Sequence, residues 1–119
     1  MAWEVEYTHE FGDWWAGLTA MQQDRIAATV RLLEARGPSL PFPYSSGVKG
    51  SRHEHMREVR VQSGGNPLRI FDAFDPRRTG ILLIGGDKTG NDRFCEQYVP
   101  VADPLYDTHL EELRVEGLL

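Results

Sequence analysis

Four consecutive apolar residues, Ile81-Leu82-Leu83-Ile84, lie between a proline-containing turn and a glycine-rich loop. Side chains alternate between the two faces of a strand, so an unbroken apolar run of this length predicts a strand buried on both faces. Two further strands lead into it. Arg57–Gln62 alternates, with Val59 and Val61 on one face, and Leu68–Phe74 follows after Gly64-Gly65-Asn66, which reads as a hairpin turn. Asp75-Pro76-Arg77-Arg78 places Pro where a type I turn prefers it. Three strands in direct succession form a meander, and short connections of this kind imply antiparallel pairing.

The flanking segments supply helices. Trp3-Glu4-Val5-Glu6-Tyr7 alternates apolar and acidic residues and predicts a half-buried strand. Phe11 to Leu18, with Trp14 and Trp15, predicts a short helix packed on the sheet. Thr19-Ala20-Met21-Gln22 has the form of a capping box, and Ile26, Val30 and Leu33 then recur at helical spacing, giving a helix over 20–36 that Gly37-Pro38 closes. Residues 37–55, rich in Gly, Pro and Ser, read as a loop. After the glycine-rich loop, Asn91 or Asp92 is expected to cap a helix starting near Arg93, with Pro100 breaking it. Asp103-Pro104 then opens a second helix over 104–115, with Tyr106, Leu110 and Leu113 as its apolar stripe. The expected architecture is α+β: an N-terminal strand and helices packed on a mainly antiparallel sheet, closed by C-terminal helix, in one domain over 1–119.

Composition narrows the function. A chain of 119 residues with 40% hydrophobic content builds a core without staples. The single cysteine, Cys95, forms no internal disulfide and removes any cysteine-based zinc site. No apolar run reaches membrane-spanning length and no signal-peptide pattern opens the chain, so a cytoplasmic protein without membrane attachment is expected. The net charge of -5 argues against simple non-specific nucleic-acid binding. Its distribution is uneven: residues 49–93 carry nine Lys/Arg against six acids, while 94–119 carry one Arg against six acids. The middle of the chain is suited to a polyanion, although a solvated surface of mixed sign gives the same pattern.

The chemistry-bearing candidates lie in that basic stretch. Gly85-Gly86-Asp87-Lys88-Thr89-Gly90 lacks Walker A spacing, yet it sets a cation and backbone N–H groups before an expected helix N-terminus. A plain strand-to-helix turn is an equal reading. Arg57 and Arg69 stand on neighbouring strands. Paired in register on one face beside Lys88, they would grip a phosphate and stabilise a pentacoordinate transition state; otherwise they are strand-edge arginines in ion pairs. The i, i+2 spacing of His53 and His55 in an extended segment places both on one side, as acid or base near a phosphate. A metal could bridge the two, but no third ligand stands nearby, and the expectation is no metal and no cofactor. Arg77, Arg78 and Arg93 extend the basic surface, and Tyr98 is either a base-stacking residue or core.

These residues fall into phrases with a family likeness. Met56-Arg57-Glu58-Val59-Arg60-Val61, Leu68-Arg69-Ile70-Phe71, Ala73-Phe74-Asp75-Pro76-Arg77-Arg78 and Ile84-Gly85-Gly86-Asp87-Lys88-Thr89-Gly90-Asn91-Asp92-Arg93-Phe94 resemble the phage-derived branch of the RelE/HigB toxins. The likeness continues through Leu110-Glu111-Glu112-Leu113. It implies a small α+β toxin of a type II toxin–antitoxin pair that acts as a ribosome-dependent endoribonuclease on mRNA by metal-independent attack of the 2′-hydroxyl. It also implies a helix-turn-helix antitoxin as partner, with operator DNA bound only through that antitoxin. By this resemblance Arg69 and Lys88 hold the basic catalytic positions, Arg57 is a third, and His55 or His53 carries protons; His53, Arg77, Arg78, Arg93 and Tyr98 would contact RNA. The resemblance leads one to expect aromatic residues where this chain has Asp72 and Cys95. An anion at 72 would repel RNA phosphate or pair with a catalytic arginine, and beside Cys95, Phe94 stacks but transfers no proton. On both departures rests the alternative reading, an attenuated toxin-fold module acting mainly through its antitoxin.

Overall fold

The computed structural model describes residues 2–119; Met1, at the edge of the expected domain, lies outside the described residues. The elements are β1 (Val5–Tyr7), α1 (His9–Ala16), α2 (Ala20–Arg36), a 3-10 turn (Gly37–Ser39), β2 (Ser45–Gly47), β3 (Arg57–Ser63), β4 (Asn66–Phe74), β5 (Gly80–Asp87) and α3 (Phe94–Val115). The five strands form one sheet in the order β1-β5-β4-β3-β2. β1 runs parallel to β5, and the other three pairings are antiparallel. The α+β expectation is met, with the meander as its centre. Among the described residues, no helix is long and apolar enough to cross a membrane.

Local chemistry sets the helix starts. Thr8 caps α1 by accepting from the Phe11 N–H at 2.9 Å, and its hydroxyl donates to the Leu83 carbonyl at 2.7 Å, which ties the helix to β5. Thr19 and Gln22 form the expected reciprocal capping box at the start of α2. α2 ends at Gly37, whose φ of 60° lies in the left-handed region.

β5 is covered on both faces, as its apolar run requires. Leu82 joins Phe11, Ile26, Leu33, Val59, Val61, Leu68 and Ile70 in the cluster under α1 and α2. Ile81 and Leu83 join Phe71, Phe94, Val99, Ala102 and Tyr106 in the cluster under α3. The register of β4 on β5 shifts between Phe71 and Asp72.

Two expectations about irregular segments are corrected. The stretch read as a loop over 37–55 contains β2, which pairs with β3 at Ser45↔Val59 and Gly47↔Arg57. The two short C-terminal helices are one helix that runs through Pro100 and Pro104. Its buried residues Phe94, Val99, Ala102, Tyr106 and Leu113 straddle both prolines, so one continuous apolar stripe rests on the sheet. Packing of that stripe outweighs an interior-proline cost of about 3 kcal/mol each. Asp103 is therefore not a cap. Its carboxylate accepts from Ser51 Oγ at 2.6 Å and from the Arg52 N–H at 3.1 Å, stapling the 51–53 loop to α3. The cap expected at Asn91 or Asp92 is also absent; Asn91 Oδ1 accepts from the Arg93 N–H at 3.1 Å, and α3 starts at Phe94 without a side-chain cap.

The helices approach the sheet at consecutive glycines. A Cβ on Gly85 would stand 2.3 Å from the Trp14 ring on α1, and one on Gly86 would stand 2.6 Å from the Tyr98 hydroxyl on α3. Both distances are far inside van der Waals contact. Gly85→Ala is accordingly expected to destabilise the fold by about 1–3 kcal/mol through displacement of the indole. A lower urea midpoint at unchanged slope checks this.

Candidate functional site

The Gly64-Gly65 turn sets which arginines share a face. It pairs Arg60 with Arg69 and Arg57 with Asp72. Residues directly opposite one another in an antiparallel pair point the same way, so Arg60 and Arg69 lie together on the α3 face. Arg69 is only 7% exposed. Its Nη1 donates to the Leu68 carbonyl at 3.0 Å, while its Nε has no hydrogen-bond partner among the described residues and lies 3.9 Å from Glu58 Oε1. Burial, and then the Arg60 charge, push the Arg69 pKa down. The buried Glu58 carboxylate is the counter-ion between the two: Oε1 accepts from Arg60 Nη1 at 3.3 Å and from Ser46 Oγ at 3.1 Å. Cys95 Sγ lies 3.9 Å from Glu58 Oε2, and burial together with that carboxylate pushes the thiol pKa up, against the pull of Lys88 and Arg69. Lys88 is half-buried, its backbone fixed by an N–H bond to the Pro67 carbonyl at 2.8 Å, and it lines a groove with Lys49, Asp92, Cys95 and Val99. Arg69 also faces Gly86 in the β4–β5 register. Tyr98 packs over that glycine and stacks on Phe94 with ring centres 4.1 Å apart. Arg60 and Arg69 thus share Glu58, and Lys88 adjoins them at Cys95, giving a partly desolvated cation cluster. It is suited to a phosphoryl group carrying more negative charge than its ground state.

The remaining sequence candidates go elsewhere. Arg57 does not join Arg69: the two-residue period turns it to the α1/α2 face, where its Nε donates to Ser45 Oγ at 2.9 Å. There it lines a separate groove with Trp3, His55, Phe74 and Arg78. His55 is exposed at that groove. His53 is not on its side; its Nε2 lies 2.7 Å from Asp107 Oδ1, and its ring meets Tyr106 edge-on at 4.7 Å, fastening the loop to α3. Arg52 reinforces this with an ion pair to Asp107. Arg77 is absorbed by Asp75 at 2.8 Å and Glu6 at 2.9 Å. Burial pushes the Asp75 pKa up, but bonds from Arg77 and His109 outweigh it and hold the carboxyl below its ordinary range. The Arg78 guanidinium lies over Trp3, 4.8 Å from the ring centre. Arg93 is exposed and pairs with Glu96 at 3.1 Å. Arg60, Glu58 and Lys49 were missed as site residues. Counting outward from the Gly64-Gly65 turn would have found the first of them, since that turn alone sets Arg60 opposite Arg69.

The description "Phage derived protein Gp49-like" matches residues 13–107, four-fifths of the chain. The chain belongs to this Gp49-like family. Among curated relatives, "Putative toxin HigB2" of Mycobacterium tuberculosis is 36% identical over 103 residues, covering 85% of this chain and 51% of that protein. "Putative toxin HigB3" of the same organism is 38% identical over 91 residues, covering 76% of this chain and 78% of that protein. The chain therefore spans about half the length of the HigB2 relative and most of the HigB3 relative. Two solved structures show the fold. A free-state mutant of Escherichia coli toxin RelE aligns with a TM-score of 0.59 at 8% identity, over 79% of this chain and 92% of that one. The archaeal RelE-RelB complex from Pyrococcus horikoshii aligns with a TM-score of 0.56 at 14% identity, over 76% and 99%. The RelE/HigB resemblance and the RelE-like architecture read from the sequence are both met.

Asp72 has a different position from the one its place in the sequence suggests. It is 1% exposed, and both carboxyl oxygens lack a hydrogen-bond partner among the described residues. It shares a face with Arg57 and not with Arg69, so it neither meets a ligand at the α3-face cluster nor pairs with Arg69. Burial raises its pKa from 3.8 to about 7, with Glu58 adding to the rise and Arg57 opposing it. A carboxyl whose folded pKa lies above its unfolded value binds more protons when folded. Its contribution is fully present below the unfolded pKa and is lost as pH rises through the folded one. Wild-type stability should therefore fall between about pH 4 and about pH 7. Asp72→Asn should remove that part of the slope and gain about 2–4 kcal/mol at neutral pH, at 1.36 kcal/mol per pKa unit. Urea unfolding of both proteins across this window checks the sign, and parallel curves would refute it.

Proposed function

We propose that this protein is the toxin of a type II toxin–antitoxin pair and that its α3-face cluster cleaves mRNA on the ribosome. The single observation that carries the reading is the joining of Arg60 and Arg69 at Glu58, with Lys88 beside Cys95, on the face where Tyr98 also lies. Its relatives' names and the RelE-like fold agree with it. In this reaction the 2′-oxygen attacks the adjacent phosphorus and the bond to the 5′-oxygen breaks, leaving a cyclic phosphate. Charge builds on the non-bridging oxygens, where Arg69 and Arg60 stabilise it. In this reading Glu58 takes the 2′-hydroxyl proton, in place of His55, which lines the other groove, and Lys88 returns one to the 5′-oxygen.

The partners follow from the same reading. A solved neighbour is a RelE-RelB complex, which supports a cognate antitoxin here. We assign that antitoxin a helix-turn-helix domain, with operator DNA reached only through it, and the ribosome with its mRNA as the target in the cytoplasm. The attenuated-module reading drew on Asp72 and Cys95. Asp72 is buried opposite Arg57 and away from Arg69, so it bears on the α3-face cluster only through the strand pair, while Cys95 lies beside Glu58 within that cluster.

Induced expression should arrest growth and give new mRNA 5′ ends only in translated transcripts. Lys88→Ala and Arg69→Ala should each lower cutting by about 10²–10³, the cost of losing one preorganised charge donor. Thermal melts of the same variants verify that they fold. Undiminished cutting by folded variants, or cuts in untranslated RNA, would remove the assignment.

A further inference from the structure

Beside the catalytic cluster the sheet leaves a gap. β2 covers β3 only from Arg57 to Val59, with the Arg60 N–H bonding the Tyr44 carbonyl at 2.8 Å just beyond. Past that point the outer edge of β3, opposite β4, has no neighbouring strand among the described residues, since β2 is the last in the sheet. A groove of about 480 Å³ opens there, lined by Arg25, Thr29 and Leu32 of α2, by Tyr44, and by Arg60 and Arg69. That volume is ordinary for a ligand site, which spans about 300–1,000 Å³.

Three properties say what fills it. Three arginines line the groove and no Asp or Glu does, among the described residues. Arg69, a side chain more than nine-tenths buried, leaves its Nε without a hydrogen-bond partner among the described residues, 3.9 Å from Glu58 Oε1. Two aromatic rings flank the opening with their surfaces in solvent: Tyr44 is 44% and Phe42 is 68% exposed, and the Arg60 guanidinium lies 5.0 Å from the Phe42 ring centre. Aromatic faces interleaved with cations suit the bases and phosphates of single-stranded nucleic acid.

We propose that this groove binds a nucleotide flanking the cleaved phosphate. Its base stacks on Tyr44 and Phe42, and its phosphate lies between Arg25 and Arg60. Arg69 lines the groove and also reaches toward Glu58, so the subsite is continuous with the cleavage site. This assignment rests on the proposed RNA reaction for its context, but its test does not depend on cleavage.

The test is fluorescence anisotropy of the full chain with a short, labelled, single-stranded 2′-O-methyl RNA, which cannot be cut by 2′-oxygen attack. Tyr44→Ala and Phe42→Ala should each weaken binding about tenfold, within the range of one base–aromatic stack. Tyr44→Phe should retain binding. Arg25→Gln should lower the salt dependence by about one phosphate contact. Wild-type binding that the alanine variants leave unchanged would overturn the subsite even if translated mRNA is cut as proposed, and so would failure of the wild type to bind. Variants that hold RNA normally but lose the antitoxin would overturn it in favour of a peptide added to the free β3 edge. Loss of RNA binding in the variants of a protein that cuts no mRNA would uphold the groove and reject the reaction.

Discussion

The structure depends on two adjacent residues without side chains. Gly85 and Gly86 lie next to each other in β5, so a strand's alternation turns one to α1 and the other to α3. Trp14 occupies the space above the first and Tyr98 the space above the second. No side chain larger than hydrogen fits at either without displacing an aromatic ring. The sheet is thus gripped from both faces at one point along its centre. The α3 side of that grip stands beside Arg69, whose register partner on β5 is Gly86. The packing that closes the fold also walls the cation cluster.

The cluster itself runs against stability. Arg60 and Arg69 are directly opposed like charges, and one carboxylate, Glu58, serves both at distances of 3.3 and 3.9 Å. Removing such charges from water costs several kcal/mol each, and only well-formed hydrogen bonds recover it. Here Arg69 Nε forms none. A fold under selection for stability alone would place apolar residues at this point of a strand pair. Departures of this kind concentrate where a ligand completes the electrostatics. By contrast Arg77, His53 and Arg52 are fully engaged with Asp75, Glu6 and Asp107, and they act as fasteners.

Much of this was legible in the sequence. The alternation of β3 and β4, the apolar run of β5, the capping box of α2 and the closing glycine at Gly37 all express local rules, and the structure follows them. Pro100 and Pro104 misled because a local rule met a stronger tertiary one: the stripe from Phe94 to Leu113 holds the helix together across them. β2 was hidden because three residues, Ser45–Gly47, carry no readable period. Arg57 and Arg69 were grouped by type and neighbouring strands, whereas face is decided by register, and register was available only by counting from Gly64-Gly65. The partners of His53 and Arg77 lie 54 and 71 residues away in the chain, beyond any pattern read along it. Parity sends Asp72, like Arg57, to the face away from Arg69, where the two stand opposite each other.

The central claim is that the functional cations are those of the α3 face, with Arg57 outside the set. Heteronuclear NMR of the arginine side-chain Nε–H groups tests it most directly, during titration with a short single-stranded 2′-O-methyl RNA. If the α3-face arginines hold the RNA, the Arg69 and Arg60 signals shift together and saturate while Arg57 stays in place. Saturable shifts at Arg57 with Arg69 and Arg60 unmoved would contradict it and move the site to the opposite face of the sheet.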